Sequence, residues 1–421
     1  MGDDRFPGWR VVSGSFIVLA TASGLGFYGL AVYLNALSKE RVWDVSSLSL
    51  ATTWFFLVGG IAGVGIARLI ARYDARIVIV AGGVLGAASL AALGQVTAKW
   101  QLFAVYGVFG VGFAATGMIP VATVVTRWFH RRRSVALSVA STGLSVGGIA
   151  LTPAAKWLLD ERGLAAGTPW LGLAFLVGVV PFALWLIQPD PVAAGWMPDG
   201  ERVQPRPTGT PPLTVHGTPF REAVRSRFFL GVTVGYVLAL GSQVGAIQQL
   251  VKLVEERSDA GTAAFATLVL AATSVVARLV GGRLATSVPM TAFTASLAAL
   301  QALSLVWLAF AESVVAMFAA IVVFGMTIGN ILMLQPLLIA ERFGVRDYPR
   351  ILSRAQLYGL TGTAAGPLLL GWLHDVAGGY EMAYVIAGTC SLAGALVFLW
   401  AGPTSADEIV EPATFAGRAT G

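Results

Sequence analysis

Arg278 stands apart from the other Lys and Arg residues of this 421-residue chain, 28 in all. It lies inside the apolar stretch 261–282, whereas the others fall at the edges of such stretches or between them. A guanidinium in an apolar helix costs roughly 2.5–3.5 kcal/mol or more unless it faces water or finds a partner. Its planar fork of donors suits a carboxylate held by two hydrogen bonds. None of the 22 Asp and Glu falls near the middle of an apolar stretch, and Ser274 rather than an acid stands one turn before Arg278. Two readings are open. Either an anionic small molecule is the partner, or the side chain extends along its own helix to the nearer interface.

Other polar side chains inside apolar stretches are amides and phenols: Tyr28, Gln243, Gln248, Gln249, Asn330, Gln335 and Tyr358. Such groups orient a small polar ligand by hydrogen bonds, or they satisfy the backbone of a neighbouring helix. Tyr28 and Asn330 are the stronger candidates for a ligand site, with Gln249 and Tyr358 beside them. His130, His216 and His374 are peripheral, so no proton relay of Asp, Glu or His is visible within the apolar stretches. Cys390 is the only cysteine, which removes disulfides and cysteine metal sites, and no cofactor motif is found. Gly24, Gly26 and Gly29 match the spacing of a dinucleotide loop but follow no strand, so helix packing is the better reading.

The elements that must position these residues are long apolar helices. Apolar residues make up 56% of the chain and charged residues 12%, about half the share of a soluble domain. A helix needs about 20 apolar residues to cross a bilayer. Twelve such spans are read at 11–37, 47–70, 76–96, 101–126, 134–159, 169–188, 228–252, 261–282, 289–310, 313–340, 350–374 and 380–401. The segment between the sixth and seventh, Pro189 to Pro219, holds eight of the 19 prolines and reads as a linker. The expected organisation is therefore a six-helix half at 1–188, a linker at 189–226, a second half at 227–403 and a tail at 404–421.

The halves repeat. An offset of 215 residues pairs Arg68 with Arg283, Arg127 with Arg342, Arg131 with Arg346, Gly147 with Gly362, and Asp160 with Asp375. With six helices in each half, equivalent spans share one orientation, giving a parallel repeat about the membrane normal. Placing the N-terminus inside assigns 20 of the 28 cations to the cytoplasmic side and seven to the other, leaving Arg278 within a span. Both termini are thus expected in the cytoplasm, in a cytoplasmic (inner) membrane. The formal charge of +6 is accounted for by topology, and nucleic acid is not implied. The run Arg131-Arg132-Arg133 reads as an anchor among lipid headgroups.

Several motifs resemble those of the major facilitator carriers. Residues 67–76, ARLIARYDAR, resemble that superfamily's G-x-L-x-D-R-x-G-R-R loop between spans 2 and 3, with Ala67, Ala71 and Asp74 replacing its first Gly, its Asp and its second Gly. The resemblance gives Arg68, Arg72 and Arg76, together with Arg283, a part in latching the halves. Closer still is the likeness to monocarboxylate porters and oxalate/formate antiporters. It is carried by YGLAVYLNALSKERVW at 28–43, RWFHRRRSVALSVASTG at 127–143, and Gly366-Pro367 through Gly371 to Asp375. Gly366 and Pro367 are expected to serve packing or flexing of span 11.

Arg278, followed by Gly281-Gly282-Arg283-Leu284, matches the span 8 arginine that grips substrate carboxylate in those families. Residues 355–373 contain no Lys or Arg where oxalate carriers place a second cation, so a monocarboxylate such as lactate, pyruvate or a larger organic acid is implied. Ser274 and Tyr28 stand where proton-coupled lactate carriers have Asp and Lys. A proton, a counter-anion or neither is therefore left open as the co-transported species. The implied protein is a carrier rather than an enzyme, working by alternating access. A drug exporter of the same fold and a membrane receptor that does not transport are the alternatives.

Overall fold

The computed structural model describes residues 6–41, 43, 45–188, 190–200, 202 and 217–404. Most of the expected linker and nearly all of the expected tail lie outside the described residues. Span 1 occupies Gly8–Arg41, span 2 Val45–Arg72, span 3 Ala75–Leu93 and span 4 Lys99–Trp128. Spans 5 and 6 form one run, Arg133–Trp185, broken at Gly163, whose φ of 72° takes it out of helical geometry. Span 7 is Arg227–Arg257, span 8 Ala260–Leu284, span 9 Met290–Phe310, span 10 Val314–Phe343, span 11 Tyr348–Ala377 and span 12 Tyr380–Ala401. At 1.5 Å per residue these are long enough for about 30 Å of hydrocarbon.

Residues 160–168, expected as a loop, are helical apart from Gly163. Leu164 there donates its N–H to Glu40 Oε1 at 2.7 Å, so an acid at the end of span 1 caps the first turn of span 6. Elsewhere the starts follow the sequence: Ser226 Oγ accepts from Phe229 N at 3.1 Å, and Ser313 Oγ from Ala316 N at 3.2 Å. Exposed Trp100, Trp157, Trp185 and Trp400 sit near span ends, where amphipathic rings favour the bilayer interface.

The repeat seen in the sequence is also a repeat of contacts. Gly147 of span 5 lies on the carbonyl of Ala20 in span 1, and a Cβ on Gly24 would meet the carbonyl of Gly147. In the second half Gly362 of span 11 lies on the carbonyl of Val237 in span 7, and Gly241 faces the carbonyl of Gly362, 3.1 Å from where a Cβ would stand. Gly24 and its neighbours are thus packing residues, and so is Gly366, which sits on the carbonyl of Gly241. Small residues let membrane helices approach this closely. Span 11 contains Pro367 without losing its helix.

One local feature was not expected. Residues Ala22–Phe27 of span 1 form a turn of π-helix, with Tyr28 N bonded to the carbonyl of Ser23 at 2.9 Å. Ser23 Oγ donates to the Leu144 carbonyl at 2.9 Å, and Thr152 Oγ1 to that of Gly24 at 3.0 Å. Wide turns of this kind recur at functional sites. This one ends on Tyr28.

Candidate functional site around Arg278

Span 8 carries Arg278 six residues before its end at Leu284, where it faces both span 10 of its own half and span 5 of the other. The residue is only 3% exposed. Its Nε donates to the Gly329 carbonyl at 3.1 Å and its Nη1 to the Ser141 carbonyl at 2.5 Å. Helix carbonyls are free to accept such second bonds because each has two lone pairs. No carboxylate pairs with Arg278 among the described residues. The snorkelling reading does not describe this side chain, which is tied sideways to two other spans.

The approach of span 10 is set by glycine. A Cβ at Gly329 would fall 3.0 Å from Arg278 Nε, and one at Gly281 would collide with the Asn330 side chain. Asn330 Nδ2 donates to the Ala277 carbonyl and to that of Met326, both at 3.0 Å. Its amide therefore fastens span 10 to the residue preceding Arg278, while its Oδ1 is buried without a hydrogen-bond partner. Ser274 Oγ is likewise buried and unpartnered. Tyr28 lies on the other half with its ring over Gly148, and its phenol is within Coulombic range of Arg278. Arg278, Tyr28 and Asn330 thus form one neighbourhood.

Gln249 does not join it. Its Oε1 accepts from Tyr380 at 3.0 Å, toward the Arg257 end of span 7, whereas Arg278 is near the opposite end of its span. Tyr358 is half-exposed on span 11, two positions before Leu360, which meets Gly60 of span 2.

The halves meet on the face where span 5 begins and span 8 ends. Gly282 lies against Ser138 there, one turn from the bond between Arg278 and Ser141. Arg68 lines a cleft with Phe220, Arg350, Ser353 and Arg354, bringing together spans 2 and 11. Arg76 instead pairs with Asp74 at 2.8 Å, and that carboxylate also caps span 3 by accepting from Arg76 N at 2.8 Å. Arg72 and Arg283 are exposed.

Arg133 corrects the reading of the triple arginine. Arg131 and Arg132 are exposed, but Arg133 is buried. It donates to the carbonyls of Phe129 at 3.1 Å and Thr126 at 3.4 Å, and lies 3.8 Å from Glu341 at the end of span 10. It is a contact between the halves rather than a headgroup anchor. The sequence signal was available in the offset of 215, which places Arg133 opposite Tyr348, itself buried at the start of span 11.

Residues 16–344 match the family model described as Major Facilitator Superfamily. The chain belongs to that superfamily. Among curated members of monocarboxylate transporter families, it is 27% identical to monocarboxylate transporter 13 of Rattus norvegicus, over 93% of this chain and 88% of that protein. It is 26% identical to monocarboxylate transporter 11 of Homo sapiens, covering 93% and 82% of the two chains. Solved structures share the fold. The major facilitator transporter FucP in its outward conformation superposes with a TM-score of 0.71 at 15% identity, over 94% of this chain and 98% of that one. The human organic anion transporter MFSD10 gives 0.70 at 15% identity, over 94% and 100%. This superfamily member is thus a multi-pass membrane transporter with twelve spans in two repeated halves. Ten helical stretches are long and apolar enough to cross a membrane. Dividing Arg133–Trp185 at Gly163 and adding the less apolar span 11 completes the twelve.

Proposed function

We propose that this carrier moves a small organic anion, a monocarboxylate, by alternating access, with Arg278 holding the carboxylate. One observation carries the reading: a deeply buried guanidinium, unpaired with any described carboxylate, stands where both halves reach it. Two of its nitrogens already donate to carbonyls. The remaining N–H groups offer the paired donors that a carboxylate accepts. Tyr28 and Asn330 orient the rest of the molecule, and Gln249 and Tyr358 line its path farther out. Homology to monocarboxylate transporters 13 and 11 supports this substrate class.

In this reading the halves 1–188 and 227–403 rock about the site, joined by the linker 189–226. The face with the contacts of Arg68, Arg133 and Gly282 is cytoplasmic, by the excess of cations, so the conformation described here opens outward. Both termini are then cytoplasmic. The substrate gradient drives transport, and the choice among uniport, proton symport and anion exchange belongs to experiment.

The test is counterflow in sealed proteoliposomes, loaded with one organic acid from a panel and presented with the same acid in labelled form. Accumulation of label with a monocarboxylate, and none with cationic or neutral drugs, is the expected result. Accumulation only with drugs would overturn the reading in favour of an exporter. Binding without exchange would favour a receptor.

A further inference from the structure

His374 ends span 11 on the face opposite the Arg133–Glu341 contact, and each of its ring nitrogens faces a carboxylate. Nε2 is 3.3 Å from Glu256 Oε1 of span 7, and Nδ1 is 3.0 Å from Oδ1 of its neighbour Asp375. Lys252 Nζ approaches the same Glu256 oxygen at 3.7 Å. From span 12, the Tyr380 ring packs on the imidazole with centroids 4.3 Å apart, and its hydroxyl donates to Gln249 at 3.0 Å. These are the titratable and charged groups that spans 7, 11 and 12 bring to the ring.

A neutral imidazole has one N–H and one lone pair. It can satisfy one of the two carboxylate oxygens, and its lone pair then opposes the other. An imidazolium donates to both. A neutral ring fits only if one carboxyl is itself protonated. In each case the cluster holds one proton more than a neutral ring between two carboxylates. Such contacts are short charge-assisted hydrogen bonds in a shielded place, since the His374 side chain is 17% exposed.

We propose that His374, Glu256 and Asp375 form a proton-binding site at the mouth of the second half, and that the bound proton clamps span 11 to span 7. Loss of the proton leaves a ring lone pair against a carboxylate and loosens the two spans at that end. The Tyr380–Gln249 bond runs directly from this cluster into span 7. The carrier thereby takes a proton as a ligand outside the apolar interior, where no acid is available to bind one. The inference does not depend on the nature of the transported substrate.

Two measurements on the purified full-length protein test it, neither needing substrate. The chain has three histidines, so ¹⁵N-histidine labelling of the His130→Gln/His216→Gln variant leaves one signal. The site predicts a ring with both nitrogens protonated at pH 6 that converts to the neutral form as pH rises through the range where imidazoles titrate. A single neutral tautomer across pH 5.5–8.5 would overturn the proposal. In thermal unfolding, that same variant is expected to lose about 2 °C or more between pH 6 and 8 relative to His374→Gln. Equal pH slopes for the two would overturn the clamp.

Discussion

Arg278 and Ser141 belong to different halves of the molecule, yet the guanidinium of one donates to the backbone carbonyl of the other at 2.5 Å. The cation assigned to the substrate is therefore also a bond across the boundary that must open during transport. A carboxylate arriving at Arg278 meets a side chain already oriented by Gly329 and Ser141, so less rotamer freedom is lost on binding.

Replacing Arg278 tests this double role. Arg278→Ala is expected to abolish saturable monocarboxylate uptake, and Arg278→Lys to lose at least about tenfold in kcat/KM. A lysine is a point charge that cannot reproduce the fork, and a charged hydrogen bond contributes about 1.5–3 kcal/mol. Initial-rate uptake with equal reconstituted protein checks it, and wild-type rates in Arg278→Ala would sink the site.

The glycine contacts predict a sharp difference between neighbours on one helix. Gly362→Ala would drive a Cβ into the Val237 carbonyl, and Gly147→Ala into that of Ala20. Each should cost about 1–3 kcal/mol by overpacking. Gly359→Ala meets nothing within 4 Å and should leave stability unchanged or raise it by up to about 1 kcal/mol through helix propensity. Thermal unfolding in detergent ranks the three, and equal midpoints would refute the packing.

Arg133→Gln should favour opening at the face where Arg133 approaches Glu341. The Glu341 side chain is 45% exposed, so the ion pair itself is solvent-screened and contributes at most about 1 kcal/mol. Alkylation of Ser138→Cys, a position buried against Gly282, should accelerate a few-fold when Arg133→Gln is added in a Cys390→Ser background. An unchanged rate would show that Arg133 does not hold this face shut.

Asp259 offers a pH test outside the apolar spans. Backbone Thr262 N–H, at 2.9 Å, and then the Thr262 hydroxyl, at 2.7 Å, hold its carboxyl below the usual carboxylate range. A carboxyl lowered on folding stabilises above its unfolded value near 4, and that stability is lost as pH falls through the folded value. Asp259→Asn keeps an acceptor for the cap without the titration. The thermal midpoint of wild type should exceed that of Asp259→Asn at pH 6, with the gap closing toward pH 3.

Much of the scaffold was legible because hydrocarbon imposes a simple rule on long helices, and the linker and repeat stood out against it. Arg278 was legible for the same reason: a charge in an apolar span has few ways to be tolerated. Asn330 could be singled out as polar, but not as the amide that ties span 10 to the residue beside Arg278. That depends on the absence of side chains at Gly281 and Gly329, which composition cannot reveal. Arg133 was hidden by its company, because two exposed arginines before it made the trio look like one surface run. The wide turn before Tyr28 left no pattern of its own, since one extra residue per turn shifts the helical phase without changing hydropathy. Gln249 looked equivalent to Asn330 in sequence, and only the position of Tyr380 separates them.

The glycines that seat spans 1 and 5, and spans 7 and 11, directly on one another's carbonyls have a mechanical meaning. Where backbone touches backbone there are no rotamers to exchange and no alternative interdigitation to slip into. Each pair of spans behaves as a single strut, and deformation is diverted to the seam between the halves. There the bonds of Arg278 and Arg133 break one at a time. The molecule is left with essentially one soft coordinate, so a ligand that binds at the seam acts on the whole motion at once.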